Sequence, residues 1–133
     1  MKYIIAVAVV LVSSQASKAA EGTQLLEACR ELVGGLHSDI QTKDGIMVPG
    51  TFTSGLCMGS MEMLQGLSQL WFQGQSRPAL ALCVPTEVRT TQYARIVVKY
   101  LDAHPEELHQ DGSYLAYMAL NSAFPCKEAQ SAK

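Results

Sequence analysis

The chain has no cluster of lysine and arginine. Its 133 residues carry ten basic and twelve acidic side chains, for a formal net charge of -2 at pH 7. Proteins that bind nucleic acid neutralise phosphates with clustered basic groups. The sequence therefore argues against a nucleic-acid partner.

Spacings typical of metal and catalytic sites are also missing. No Cys-x-x-Cys motif and no cysteine–histidine pair stands at zinc-ligand spacing, and no serine lies in a Gly-x-Ser-x-Gly nucleophile motif. His104 and His109 could share a surface with nearby acidic groups, but a cation-capable side chain is also ordinary near a helix end. We therefore expect a protein that is not an enzyme and needs no cofactor or metal.

A long apolar run occurs at residues 3–12, after Lys2 and before the small and polar residues 13–17. This order is typical of a secretory signal peptide. A membrane anchor is the alternative, but the run has about half of the ~20 residues that a spanning helix needs. Two pairs of small residues, the second at Ser17 and Ala19, could direct cleavage. We expect residues 1–19 to be a signal peptide and residues 20–133 to form a single periplasmic domain.

The predicted domain contains four cysteines: Cys29, Cys57, Cys83 and Cys126. Oxidising compartments let thiols pair, so two disulfides are expected. Four cysteines allow three connectivities.

Apolar spacing predicts four helices, because it follows the helical period of 3.6 rather than the strand period of two. The first helix covers residues 23–33. The second begins with Thr53 or Ser54 as its cap, and its predicted core face consists of Leu56, Ser60, Met63, Leu67 and Trp71. Three glycines in this helix are expected to let a neighbouring helix approach closely: Gly55, Gly59 and Gly66.

The third helix carries a full apolar stripe of Tyr93, Ile96, Val97, Tyr100 and Leu101. It should end at His104, because the residue before a proline is disfavoured in the helical region. Asp111 or Ser113 is expected to cap the fourth helix, and Pro125 to stop it. The predicted core face of the fourth helix is Leu115, Met118, Ala119 and Ser122.

The short link between the third and fourth helices predicts an antiparallel hairpin. This hairpin would bring Cys83 beside Cys126, which leaves Cys29 to pair with Cys57. The predicted fold is all-α: a small disulfide-stapled bundle of four helices, or five with a short extra helix.

Residues 83–126 contain an ordered series of short motifs: Cys83-Val84-Pro85, Gln92, Val97-Val98-Lys99-Tyr100-Leu101, His104-Pro105-Glu106-Glu107-Leu108-His109, Ala119-Leu120 and Ala123-Phe124-Pro125-Cys126. Together they resemble the Rap/Tai family of type VI secretion immunity proteins. Residues 22–29 and Cys57-x-Gly59 extend the resemblance to most of the predicted domain. The chain departs from the family pattern at Ser60 and Met63, where an aromatic residue and a further glycine are usual.

A second departure is Arg89, which replaces the threonine that usually caps the third helix. We expect the cap to have moved to Thr86 or Thr90.

The resemblance implies an all-helical periplasmic protein, often a homodimer, that binds a cognate peptidoglycan amidase effector and blocks its active site. Candidate interface segments are residues 102–113, with the loops 37–51 and 73–78, because specificity usually lies in exposed irregular segments. The candidate effector-binding side chains are Asp102, His104, Glu106, Glu107, His109 and Asp111.

Other interpretations remain open from the sequence. The cluster of Met58, Met61 and Met63 could be an adaptable binding surface or a copper site, although such clusters are usually core. Small disulfide-stapled helical proteins also include acid-stress chaperones, which would expose apolar surface at low pH. An enzyme would require a perturbed histidine in a closed pocket.

Overall fold

The computed structural model describes residues 20–35, 41–42, 45–46 and 50–126. These residues form four α-helices, α1 (Gly22–Gly35), α2 (Phe52–Ser68), α3 (Thr90–Ala103) and α4 (Gly112–Ala123), together with a 3-10 helix (Pro105–Glu107) and a two-stranded antiparallel pair, β1 (Gln41–Thr42) and β2 (Gly45–Ile46). The predicted all-α, disulfide-stapled bundle is confirmed. The 3-10 helix is the short extra element.

Two predicted segments lie wholly or mostly outside the described residues: the signal peptide and the loop 37–51. Among the residues that are described, no helix has the length and apolar character needed to cross a membrane.

Helix α1 lies at the centre of the bundle and contacts each of the other three α-helices. Its inward face follows the predicted spacing, with Leu25, Cys29 and Leu32 buried. Tyr93, Val97 and Leu101 of α3 are fully buried as predicted, whereas Ile96 and Tyr100 of the same stripe are half-buried. Leu115 and Ala119 of α4 are buried as predicted. Burial of a large apolar side chain contributes about 1.5–3 kcal/mol. The core therefore depends on α1 and α3, each of which touches all the other α-helices.

The buried face of α2 differs from the prediction. It consists of Ser54, Cys57, Met61, Leu64 and Ser68. Leu56, Met63 and Trp71, which were expected in the core, are exposed. The two serines tolerate burial because each hydroxyl donates to a carbonyl of the preceding turn, Ser54 Oγ to Thr51 O at 3.1 Å and Ser68 Oγ to Gln65 O at 2.7 Å. Helix α2 is thus rotated so that its most apolar stripe faces outward.

The predicted role of the three α2 glycines is also wrong within this chain. A Cβ atom added at Gly55, Gly59 or Gly66 would meet nothing within 4 Å. No neighbouring helix of the bundle approaches them. In α4 the prediction is partly wrong, since Ala116 and Leu120 are buried in place of Met118, which is half-buried, and Ser122, which is exposed.

Helix caps agree with the sequence in part. Asp111 caps α4 as predicted. Helix α2 begins two or three residues earlier than expected, because Thr51 rather than Thr53 or Ser54 is its cap and the Thr51 hydroxyl accepts the Ser54 N–H at 3.1 Å. Arg89 is the N-cap of α3 without a side-chain bond, so the predicted shift of the cap to Thr86 or Thr90 is wrong.

In place of a capping side chain, Gln65 of α2 holds the start of α3. Its amide nitrogen donates to Val88 O at 3.1 Å, and its amide oxygen accepts the Thr90 hydroxyl at 2.9 Å. The beginning of α3 is therefore held by a neighbouring helix.

Both predicted disulfides are present. Cys29–Cys57 joins α1 to α2 and is fully buried. Cys83–Cys126 closes the α3–α4 hairpin at the surface, where Cys83 is exposed, and the Cys83 N–H donates to Phe124 O at 3.1 Å beside it. One bridge thus lies in the core and the other at the surface.

We expect loss of the buried bridge to destabilise the protein more than loss of the surface bridge. On the chain-entropy model, sequence separations of 28 and 43 residues correspond to about 4 kcal/mol each, with slightly more for the longer loop. The Cys29→Ala/Cys57→Ala variant also leaves a cavity in the core. Denaturant unfolding of both double variants would measure the order. A larger loss in Cys83→Ala/Cys126→Ala would show that loop length outweighs core packing.

Candidate functional site

The six candidate side chains lie on one continuous segment between α3 and α4. This segment, residues 102–111, is called the α3–α4 ridge below. Asp102, Glu106, His109 and Asp111 are exposed, whereas His104 and Glu107 are half-buried. The predicted residues are therefore brought together on one edge of the bundle, and most of them face solvent.

Backbone hydrogen bonds fasten the ridge to the start of α1. The Gly22 N–H donates to Gln110 O at 2.9 Å, and the Thr23 N–H donates to Leu108 O at 3.2 Å. The Gly112 N–H donates to Ala20 O at 2.8 Å. The ridge is thus an extension of the core rather than a free loop.

Two glycines make this close crossing possible. A Cβ atom at Gly112 would lie 2.7 Å from Ala20 O, and one at Gly22 would lie 3.0 Å from Leu108 O. Both distances are shorter than ordinary contacts of a Cβ atom. The ridge can therefore approach α1 only because these positions have no side chain.

Several ridge side chains are committed to the fold. Asp102 forms an ion pair with Arg30 of α1 at 2.5 Å. The His104 Nδ1–H donates to Tyr100 O at 2.8 Å, and its ring stacks on Tyr100 with centroids 4.2 Å apart. Glu107 accepts the Tyr100 hydroxyl at 3.2 Å, and Asp111 accepts the Tyr114 N–H at 2.9 Å as the cap of α4. These four positions hold the ridge in place.

Glu106 and His109 have no comparable side-chain partner in the other elements of the described structure. The His109 Nδ1–H donates only to Glu106 O within the ridge, at 3.0 Å. Both side chains are exposed, Glu106 on the 3-10 helix and His109 in the turn that follows it. They are the ridge groups best placed to contact another molecule.

The chain matches the family model of Rap1a immunity proteins over residues 21–126. This match covers α1 to Cys126, including both disulfides and the whole α3–α4 ridge. The chain belongs to the Rap1a immunity protein family. No curated protein and no solved structure matches it.

The pKa of Tyr100 in this immunity protein is raised above its ordinary value of 10.0. Burial of the phenol is the main cause, and the Glu107 carboxylate adds to it by charge and by the hydrogen bond. The phenol therefore stays protonated and continues to donate to Glu107 through the physiological pH range.

An exposed apolar surface on α2 was missed by sequence reasoning, which had placed part of it in the core. Six large side chains there and in the turn that follows are 38–88% exposed: Phe52, Leu56, Met63, Leu70, Trp71 and Phe72. A narrow groove runs between α2 and α4, lined by Leu56, Ser60 and Met63 on one side and Gly112 and Ala116 on the other. The groove begins where the ridge ends.

The predicted loop 73–78 follows these aromatic residues and is exposed up to Pro78, which is buried. In the described parts of the chain, no three His, Cys, Asp or Glu side chains gather in a group that could hold a metal ion.

The substitution Gly112→Ala should weaken both the fold and the ridge. The added methyl group would collide with Ala20 O, so the backbone bond between ridge and α1 must lengthen or break, at a cost of about 1–3 kcal/mol. Thermal unfolding and proton exchange of the Gly112 amide would measure both effects. Gly34→Ala is the matched control, because a Cβ atom there meets nothing within 4 Å. Equal stability of the two variants would contradict the close-crossing role of Gly112.

Tyr100→Phe should change how stability depends on alkaline pH. Since the folded pKa is raised, the folded protein retains a proton between the unfolded pKa near 10.0 and the higher folded value. Stability from this group is present below the unfolded pKa and is lost as pH rises through the folded pKa. Denaturant unfolding from about pH 8 to about pH 11 should show a steeper decline in the wild-type protein than in the variant. Parallel curves would show that the Tyr100–Glu107 contact is not the source of the decline in stability at alkaline pH.

Proposed function

We propose that this immunity protein binds a peptidoglycan amidase effector of type VI secretion and blocks its active site with the α3–α4 ridge. The observation that carries the proposal is the exposure of Glu106 and His109 on a turn that is fixed to the core at both ends. Membership of the immunity protein family supports a protein effector as the partner.

Rigidity of the ridge is favourable for an inhibitor. Association costs less conformational entropy when the contacting groups already hold their bound positions. The Arg30–Asp102 ion pair, the Tyr100–His104 stack and the Asp111 cap hold the ridge before any partner arrives. Insertion of such a turn into a cleft would exclude the substrate without a change of fold.

Inhibition in this proposal needs no reaction by the immunity protein. The ridge would occupy the cleft in which the effector's catalytic cysteine and histidine meet a peptide bond. Its exposed acidic groups suit a cleft with basic or hydrogen-bond-donating walls, since complementary charge favours encounter and orientation. The immunity protein therefore acts by binding rather than by catalysis.

The periplasm is the proposed site of action. The apolar run at residues 3–12 supports export, and two disulfides suit an oxidising compartment. Peptidoglycan, the proposed substrate of the effector, lies in the same compartment. We also propose that the protein acts as a homodimer.

Charge reversal at Glu106 tests the ridge. We expect Glu106→Arg to weaken binding of the purified cognate amidase by roughly ten- to a hundredfold, about 1.4–2.8 kcal/mol, and to restore amidase activity at a fixed inhibitor concentration. The fold should be unaffected, because no hydrogen bond or ion pair within the described structure uses this carboxylate. Isothermal titration calorimetry and a peptidoglycan-cleavage assay would measure the two effects.

Glu27→Arg is the matched control, since Glu27 is an exposed glutamate of α1 outside the ridge. If Glu106→Arg and His109→Glu each bind the amidase as tightly as the control, the ridge is not the inhibitory surface. If the wild-type protein binds no amidase but binds apolar dyes at low pH, a chaperone-like role replaces the proposal.

A further inference from the structure

We propose that the surface disulfide Cys83–Cys126 is a thiol-exchange site of the folded protein. An external protein dithiol opens and closes this bond while Cys29–Cys57 stays intact. The inference assigns a covalent reaction to one bond and a partner of the dithiol class. It concerns a part of the molecule that the ridge proposal does not use, so it does not rest on that proposal.

The two bridges differ in their access to solvent. Cys29 and Cys57 are both 0% exposed, whereas Cys83 is exposed and Cys126 is half-buried. A thiolate must reach the sulfur that it attacks, so the rate of exchange depends on access, and exposed disulfides are the more labile ones. An external thiol can therefore reach Cys83 in the folded protein, while the core shields the other bridge.

An open cleft beside Cys83 gives a partner room to approach. The cleft has a volume of about 250 Å³, and its walls include Trp71, Pro78, Val84 and Pro85 together with Cys83 itself. Trp71 is 59% exposed, and aromatic side chains of this kind are enriched where proteins contact one another. A group of the partner that enters this cleft lies next to the disulfide.

The reaction requires a thiol from another molecule. The chain has four cysteines, and all four are paired in the two bridges. No sulfur of the oxidised chain is therefore available as an attacking thiolate. A dithiol is the class of partner that fits, because its second thiol completes the exchange and releases the protein.

The exchange consists of two balanced steps. A thiolate of the partner attacks Cys83 Sγ, forms a mixed disulfide and displaces Cys126 Sγ, which takes up a proton. The second thiolate of the partner then attacks the partner's own sulfur in the mixed disulfide, and Cys83 leaves and takes up the other proton. Two electrons pass to the immunity protein, so its bond is reduced and the dithiol becomes a disulfide. An oxidised partner closes the bond by the reverse steps.

The surrounding contacts keep the two cysteines together after the bond opens. Leu82 and Val84, on either side of Cys83, are buried in the core. The Cys83 N–H donates to Phe124 O at 3.1 Å, and Leu82 pairs with Pro125 as an isolated bridge. None of these contacts needs the sulfur–sulfur bond. The reduced protein should therefore keep its fold, and the bond can form again.

The bond lies at the opposite end of the α3–α4 hairpin from the ridge. Cys83 precedes α3 and Cys126 follows α4, whereas the ridge joins the end of α3 to the start of α4. Backbone hydrogen bonds to the start of α1 hold the ridge in place. Exchange at Cys83–Cys126 therefore acts on a separate part of the hairpin.

Graded reduction of the wild-type protein tests the site. The oxidised protein is equilibrated with increasing dithiothreitol in native buffer, quenched with iodoacetamide and mapped by peptide mass spectrometry. We expect Cys83 and Cys126 to be alkylated together at a dithiothreitol concentration at least about tenfold below the one that opens Cys29–Cys57. The helical signal in circular dichroism should persist at that concentration. Release of all four thiols in one step, or only with loss of the helical signal, would overturn the proposal.

A trapping experiment tests the partner class and the attacked sulfur. The probe is a thioredoxin whose second active-site cysteine is replaced by serine, so that it performs the first step and not the second. We expect it to form a mixed disulfide with Cys83 of the folded wild-type protein. A mixed disulfide at Cys126, or none, would contradict the assignment.

The Cys83→Ala/Cys126→Ala variant is the matched control, because it retains only the buried bridge. Where its circular dichroism matches that of the wild-type protein, it should show neither alkylation nor a trapped complex under the conditions that open the surface bond. Reaction of its buried bridge at the same dithiothreitol concentration would show that exposure does not decide reactivity, and the proposal would fail. If the variant does not fold, the comparison of the two bridges within the wild-type molecule decides the question.

Discussion

The buried Cys29–Cys57 bond is the constraint on which the surface of this protein depends. Cys57 must face α1 to reach Cys29, and this requirement sets the rotation of α2 about its axis. Met61 and Leu64 then turn inward with it, while Phe52, Leu56 and Met63 turn outward. A different rotation would bury a more apolar stripe, but it would carry the cysteine away from its partner. The exposed face of α2 is therefore a consequence of where the covalent bond forms.

The position of α1 also determines how the α3–α4 ridge is held. Because its first residues pair with the ridge through backbone hydrogen bonds, the central core helix also supports the candidate binding turn. Arg30 of the same helix holds Asp102 at the base of the ridge. Packing in the core and the geometry of the ridge are thus coupled through one element. This arrangement gives a small domain a rigid contact surface without a long insertion.

Much of this architecture follows from the sequence, and the exception has a physical reason. The period of α3, the His104-Pro105 stop and the Asp111 cap are local features, so the sequence predicts them correctly. The short α3–α4 link also predicts the pairing of the four cysteines. Helix α2 was misjudged because two stripes compete on it, and the more apolar one lost to the stripe that contains Cys57. Buried serines bonded to their own turn cannot be distinguished from exposed ones by spacing alone. The sequence also could not show which ridge side chains are bonded to the rest of the fold. Those bonds involve Arg30 and Tyr100, and sequence spacing does not reveal them.

The two candidate surfaces meet at Gly112. This glycine donates to Ala20 at the end of the ridge and also lines the groove between α2 and α4. A side chain of a second molecule that filled the groove would press on the backbone that holds the ridge. Coupling between sites requires an element with two discrete arrangements, and the hydrogen-bonded crossing has little freedom to provide one. A substitution at Gly112 would therefore disturb both surfaces at once.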